Sequence, residues 1–167
     1  MPRLSARDLG PNVAAFLDML AVSEGTSTIA GSDDGYNVLV GGAFFTGYAA
    51  HPRQLVWLPR YKISSTAAGR YQFLARTWDD LATRLRLPDF SPASQDRAAV
   101  ELIRGRRALD AIRAGRLGEA VDRCRNIWAS LPGAGYGQRE HSLDRLRAVY
   151  LAAGGTDSSL HTPKERT

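Results

Sequence analysis

The chain reads as an α+β protein in which a short hairpin follows the first helix and the remainder is helical. Three observations carry that reading. Val13, Phe16, Leu17, Leu20 and Ala21 recur at helical spacing, and Gly25 supplies the left-handed residue that commonly ends a helix. Tyr36 to Val40 and Ala43 to Thr46 flank Gly41-Gly42, the pattern of two strands joined by a two-residue turn. From Ser64 onward, helix start and stop signals alternate at short intervals as far as Gly154-Gly155.

In chain order, residues 1 to 11 form a lead-in ending at Gly10-Pro11, and Asn12 is placed to cap the first helix. Thr26 to Gly35 is a loop rich in Ser, Thr, Asp and Gly, a composition that holds function or flexes. After the predicted hairpin, His51-Pro52 breaks the chain. Leu55-Val56-Trp57-Leu58-Pro59 is apolar without helical caps and fits either a third short strand or a loop. Ser65 to Leu74 leads into a helix through Trp78, Leu81 and Leu85. Ser91-Pro92 places a capping residue before a proline at the first helical position and predicts a helix through Val100, Leu102 and Ile103 to Gly105. Further helices are expected over Arg107 to Ala114 and Gly118 to Asn126. Pro132, Gly133, Gly135 and Gly137 make Trp128 to Gln138 a shaped loop. A final helix runs from Glu140 to Ala153. There is no internal repeat and no linker, so residues 1–155 are expected to form one domain and 156–167 a flexible tail.

Composition narrows the class. In 167 residues, 44% apolar and 23% charged content is that of an ordinary globular protein able to bury a core. No run approaches the roughly 20 apolar residues of a membrane span, and the first residues lack the apolar centre of a secretory signal. Cys124 is the single cysteine, which excludes an internal disulfide, and its apolar helical context predicts a buried structural thiol. The net charge of +5 fits an anionic partner or simple solubility. The arginines from Arg97 to Arg125 lack aromatic interleaving, so a solvated basic face is expected in preference to a nucleic-acid stripe. His51, His141 and His161 have no metal-ligand spacing, and no metal or cofactor is expected.

One carboxyl group stands out. Glu24 lies at the C-terminal end of the first predicted helix, where unpaired carbonyls carry partial negative charge and disfavour a carboxylate. That position, beside apolar Val22, favours the protonated form that a general acid needs. A solvated glutamate in a last helical turn has the same local sequence. Two other stretches, Gly69-Arg70-Tyr71-Gln72 and Pro132 to Gln138, combine small residues with aromatic and amide side chains. Sugar polymers are bound by such groups, because pyranose rings offer apolar CH faces and many hydroxyls. Tyr71, Gln72, Tyr136 and Gln138 are of the right types, and the same types also serve capping and core packing.

From Phe16 to Gly155 the sequence resembles the phage lambda-type endolysins, small lytic transglycosylases that cut peptidoglycan. The resemblance rests on Phe16-Leu17-Asp18-Met19-Leu20-Ala21 with Ser23-Glu24-Gly25-Thr26, on Gly35-Tyr36 with Val40-Gly41-Gly42, and on His51-Pro52-Arg53. It continues through Gly69-Arg70-Tyr71-Gln72, Asp89-Phe90-Ser91-Pro92, Ser94-Gln95-Asp96 and the block from Asn126 to Gln138. The implied fold is lysozyme-like, α+β, with a mainly helical lobe, a small strand-containing lobe and a substrate groove between them. The resemblance implies Glu24 as the catalytic acid, Tyr136 as a groove residue and Gln72 as a neighbour of the cleaved sugar; Tyr71 and Gln138 are expected as further substrate contacts from their residue types. It also implies glycan strands of peptidoglycan as substrate, a monomer, no nucleic acid, and a holin as the indirect partner that lets the enzyme leave the host cytoplasm for the periplasm.

The chain departs from the lambda-type pattern at Val22, where an aromatic residue is expected, and at Asp33 and Asp34, which replace neutral residues. Phage lysozymes that hydrolyse their substrate space the acid and an aspartate as Glu-x8-Asp-x5-Thr. Glu24 and Asp33 match the first interval, but position 39 is leucine. The expected reaction is therefore endolytic transglycosylation with one carboxyl group, giving a 1,6-anhydromuramic acid end. The alternatives are a hydrolysing muramidase that uses Asp33 or Asp34, a non-catalytic wall-binding protein, and a basic nucleic-acid binder.

Overall fold

The computed structural model describes residues 2–135 and 140–161 of the chain. Two compact units make it up, each built from two stretches: Met1–Leu4 with Leu20–Glu101, and Ser5–Met19 with Leu102–Thr167. Of the three crossing points, Met19/Leu20 and Glu101/Leu102 fall inside helices and Leu4/Ser5 just before one, so no composition shift marks them in the sequence, which reads as one domain.

Helix α1 spans Ala6–Leu9 and α2 spans Pro11–Ser23. Asp8 accepts both the Ser5 amide and the Ser5 hydroxyl, at 2.8 and 2.7 Å, and so closes the start of α1. In α2 the expected apolar positions Val13, Phe16, Leu17, Leu20 and Ala21 are all buried, together with Ala14, Ala15 and Met19. The helix is thus apolar on more than one face, and each large side chain buried contributes about 2 kcal/mol. Asn12 does not cap it. Pro11 occupies the first helical position, the Gly10 carbonyl accepts the Ala14 amide at 3.1 Å, and the Asn12 side chain is used elsewhere. Its amide donates to the Ile112 and Arg113 carbonyls, and its oxygen accepts the Thr156 amide at 2.9 Å.

In the first unit the regular sheet is the antiparallel pair β1, Val56–Leu58, and β2, Ile63–Ser65. The turn expected at Gly41-Gly42 is present, with both glycines at positive φ, but its flanks are short. Val38 pairs with Phe44 in one bridge, and the chain then turns so that Leu39 pairs with Ala68. The predicted hairpin is therefore a tight turn feeding a three-way crossing, in which Val40 donates to Ala67 and Gly69 donates to Val38. Helix α3 spans Ala75–Leu85 and α4 spans Pro92–Gly105, starting where Ser91-Pro92 predicts. Asp89 organises the α4 entry by accepting the Ser91 amide at 3.0 Å and the Ser94 hydroxyl at 2.8 Å.

In the second unit, α5 spans Leu109–Arg113, α6 spans Leu117–Cys124 and α7 spans Leu143–Ala152, shorter than predicted at most ends. Ser142, not Glu140, starts α7, its hydroxyl accepting the Arg145 amide at 3.3 Å. The expected flexible tail does not begin at residue 156. Asp157 is buried and takes Arg147 at 2.8 Å, and Ser158–His161 forms a 3₁₀ turn. Polar anchoring supplies there what the segment's low apolar content does not. Cys124 is buried, as predicted, and burial pushes its thiol up to about 12.

Candidate functional site

Glu24 follows the last residue of α2 and occupies the C-cap. The Thr26 amide reaches back to the Ala21 carbonyl at 3.1 Å and the Gly25 amide to the Val22 carbonyl at 3.0 Å, the paired bonds of a Schellman ending. Gly25 makes this possible with φ +76°. The backbone on both sides of Glu24 is thereby fixed, and its side chain is half-buried.

Thr26 ties this helix end to the Gly69-Arg70-Tyr71-Gln72 stretch. Its hydroxyl donates to the Arg70 carbonyl at 2.7 Å. Gly69 sits at φ +81°, and a Cβ there would lie 2.9 Å from both the Gln95 side-chain carbon and the Phe90 ring, so only glycine fits. Gln95 reads the stretch as a template: its oxygen accepts the Arg70 amide at 2.9 Å, and its NH₂ donates to the Tyr36 and Phe90 carbonyls. Gln72 is held at φ +53°, a conformation that side chains rarely adopt. Its amide nitrogen donates to the Gly69 and Val38 carbonyls at 3.0 and 3.3 Å, which aims the head group while leaving the residue half-exposed.

Tyr71 is placed differently from the expectation of a sugar contact. It is 1% exposed, and its hydroxyl donates to Asp96 at 2.6 Å. The same Asp96 oxygen accepts the Tyr36 hydroxyl at 2.8 Å, and the other accepts the Leu4 amide at 2.8 Å. Tyr71 is thus a core residue beneath the site, because its ring packs edge-on against Tyr36 and Phe73. Burial pushes the Asp96 carboxyl up, against these hydrogen bonds, which pull it down.

Asp33 and Asp34 are both engaged. Tyr48 donates its hydroxyl to Asp33 at 2.6 Å. Asp34 pairs with Arg70 at 2.6 Å and with Arg3 at 3.1 Å, and Arg70 also donates to the Asp34 carbonyl. Arg70 is 2% exposed, with its guanidinium over the Tyr36 ring at 5.1 Å. The two aspartates are therefore not interchangeable: only Asp34 neutralises a buried charge.

His51 is structural. Its Nε2 lies 2.8 Å from the Phe73 carbonyl and its Nδ1 accepts the Arg53 amide at 3.1 Å, which fixes the neutral Nε2–H tautomer. Burial lowers its pKa. In the second unit, Tyr136 and Gln138 lie outside the described residues, and the described residues on either side of them are tied together. Glu140 accepts the Gly133 and Gly135 amides at 2.9 and 2.8 Å, and these bonds hold its carboxyl below the usual range. Among the described residues no group of His, Cys, Asp and Glu is placed to hold a metal ion.

Sequence reasoning missed Thr26, Arg70, Gln95 and Asp96 as builders of the site in the first unit, and Glu140 as the acceptor of the Gly133 and Gly135 amides in the second. Arg70 carried a signal, being a charge in a stretch otherwise made of buried residue types. Glu140 carried none, since a glutamate just before a helix reads as its first turn.

The family model described as Endolysin matches residues 14–157. The endolysin of Escherichia phage P2 is 56% identical over 154 residues, covering 86% of this chain and 93% of that protein. The endolysin of Escherichia phage lambda is 56% identical over 144 residues, covering 85% and 90%. Among solved structures, bacteriophage lambda lysozyme complexed with a chitohexasaccharide matches with a TM-score of 0.85 at 50% identity, covering 94% of this chain and 99% of that one. Another structure of lysozyme from bacteriophage lambda matches with a TM-score of 0.82 at 50% identity, with the same coverage.

Proposed function

We propose, on the premise that the chain belongs to the endolysin family and has its lysozyme-like α+β fold, that this peptidoglycan-degrading enzyme is a lytic transglycosylase. Glu24 protonates the oxygen of the β-1,4 bond between N-acetylmuramic acid and N-acetylglucosamine, and the bond to the muramic anomeric carbon breaks with oxocarbenium character. Glu24, now a carboxylate, takes the proton of the muramic C6 hydroxyl, whose oxygen closes a 1,6-anhydro ring on the same carbon. One proton is given and one returned, and no water is consumed. The nucleophile is already tethered to the reacting sugar, so proximity replaces a positioned water.

One observation carries this reading over hydrolysis. The two carboxylates within reach of the hydrolase spacing are occupied, Asp33 by Tyr48 and Asp34 by Arg70 and Arg3. A hydrolase needs a second carboxylate aimed at a water or at the anomeric carbon, about 5–9.5 Å from the first. Gln72, with its head group aimed by two carbonyls, is the polar neighbour offered to the sugar, with Tyr136 added on the family pattern and Gln138 by its residue type. The substrate class also matches the saccharide bound by the lambda lysozyme relative. No helix among the described residues is long and apolar enough to cross a membrane, and release to the wall is assigned to a holin.

Glu24→Gln keeps the shape and removes the proton donor. Clearance of purified peptidoglycan is expected to fall on the order of a hundredfold with the unfolding midpoint unchanged. Asp33→Asn assayed beside it is expected to keep most activity. Loss of activity in Asp33→Asn with an intact fold would move the reading to a muramidase.

A further inference from the structure

Resting on the reading of Glu24 as the acid, we infer that Arg70 is a positioning residue for it: a clamp that joins both ends of the loop leaving Glu24, with Asp34 as the partner charge. The loop runs from Thr26 to Gly35, and one residue grips its start and its end. The Arg70 carbonyl takes the Thr26 hydroxyl at 2.7 Å, and the Arg70 guanidinium takes Asp34 through its carboxylate at 2.6 Å and through its carbonyl. Arg70 is itself anchored at several points. Gln95 holds its amide, Tyr36 lies under its guanidinium, and its side chain is buried.

Thr26 is also the residue whose amide closes the Schellman ending around Glu24, so movement of the loop acts directly on the backbone that carries the acid. On the other side Arg70 is two residues from Gln72, whose positive φ must be held by its surroundings. The clamp thus sets two polar groups from one point. Arg3 takes the outer Asp34 oxygen at 3.1 Å, and the Leu4 amide takes Asp96, so the N-terminal arm braces the clamp from outside.

The chemistry favours a geometric role over a stabilising one. Burying the Arg70 charge costs desolvation that an apolar side chain of similar volume avoids, while its charge-assisted hydrogen bonds to the half-exposed Asp34 fix direction as well as distance. Asp34 lies at φ +48°, where Asn is tolerated as well as Asp, so Asp34→Asn removes the charge with little added strain. That variant leaves the Arg70 charge buried and is expected to melt lower. The double variant Arg70→Met/Asp34→Asn removes both charges and is expected to recover most of that loss.

The test compares kcat, KM, melting temperature and amide hydrogen exchange in the parent, Asp34→Asn and the double variant. Both variants are expected to lose roughly tenfold in kcat with KM changed less than about twofold, because misplacement of the acid acts on the chemical step. Exchange of the Ser27 to Asp34 amides is expected to accelerate in both, with α3 unchanged. Recovery of kcat together with the melting temperature in the double variant would overturn the proposal. So would unaltered loop exchange in Asp34→Asn. The exchange measurement repeated in a Glu24→Gln background reads the clamp without catalysis, so failure of the clamp is distinguishable from failure of the acid assignment.

Discussion

The loop from Thr26 to Gly35 and the hairpin from Val56 to Ser65 are two short excursions in the same compact unit, and they are held by opposite means. The first has almost no regular structure, yet its ends are fixed by Arg70, and Ser32, Asp33 and Gly35 each make side-chain to backbone bonds. The second is the regular sheet of the unit, held by its own ladder from Val56↔Ser65 to Leu58↔Ile63. Leu55 and Trp57 on its outward face are 70% and 57% exposed. Regularity and constraint are therefore different properties here. A loop whose polar groups are met by buried partners loses heavily when one partner changes, because the remaining group is left desolvated and unpaired. An exposed side chain on a hairpin leaves nothing orphaned.

Breaking the constrained region should have the largest effect. Gly69→Ala puts a methyl against Gln95 and Phe90 at a positive φ, and is expected to cost about 2–4 kcal/mol in chemical unfolding. A loss below about 1 kcal/mol would mean that Gln95 moves aside and is no template.

The next effect is graded by pH. His51 is buried neutral between Phe73 and Arg53, so its folded pKa lies below the unfolded value of about 6.5. The folded state binds the proton less well than the unfolded chain, so this contribution to stability is complete above that value and is lost as pH falls below it. A melting curve measured against pH should decline on the acid side of about 6.5, with the His51 ring signals titrating below that value. Titration at or above it would contradict the burial. The smallest effect belongs to the hairpin: Trp57→Ser is expected to shift unfolding by no more than about 0.5 kcal/mol. A loss well beyond that would show that the exposed face packs against something.

Much of the fold was legible. Helix α2 declares itself by apolar spacing and Gly25, and α4 by Ser91-Pro92, because each signal is local. The sheet was not legible in the same way. Three-residue strands with exposed Trp57, Ile63 and Ser64 offer no alternation to read, and the strong turn at Gly41-Gly42 drew the prediction to a place where the flanks pair only once. Asn12 shows the same limit: a capping residue type in a capping position was claimed by carbonyls one hundred residues away.

The site divides along the same line. Glu24 is proposed as the acid because its position at a helix C-terminus is locally anomalous, and Gln72 is proposed through its motif. Tyr71 was misread as a sugar contact because residue type carries no information about which way a ring faces. The Arg70 and Asp34 pair spans 36 residues, and no local pattern announces it. It also changes how the second carboxylate should be probed, since Asp34 is tied to the stability of Arg70 and Asp33 is not.

The central claim is that one carboxyl group performs the cleavage, and its most direct test is mass spectrometry of the muropeptides released from purified peptidoglycan. If the C6 hydroxyl is the nucleophile, the new muramic acid ends are 1,6-anhydro and about 18 Da lighter than hydrolysed ends. That is the expected product at every cut. Reducing muramic acid as the dominant new end would contradict it and place a water, positioned by a second group, in the reaction.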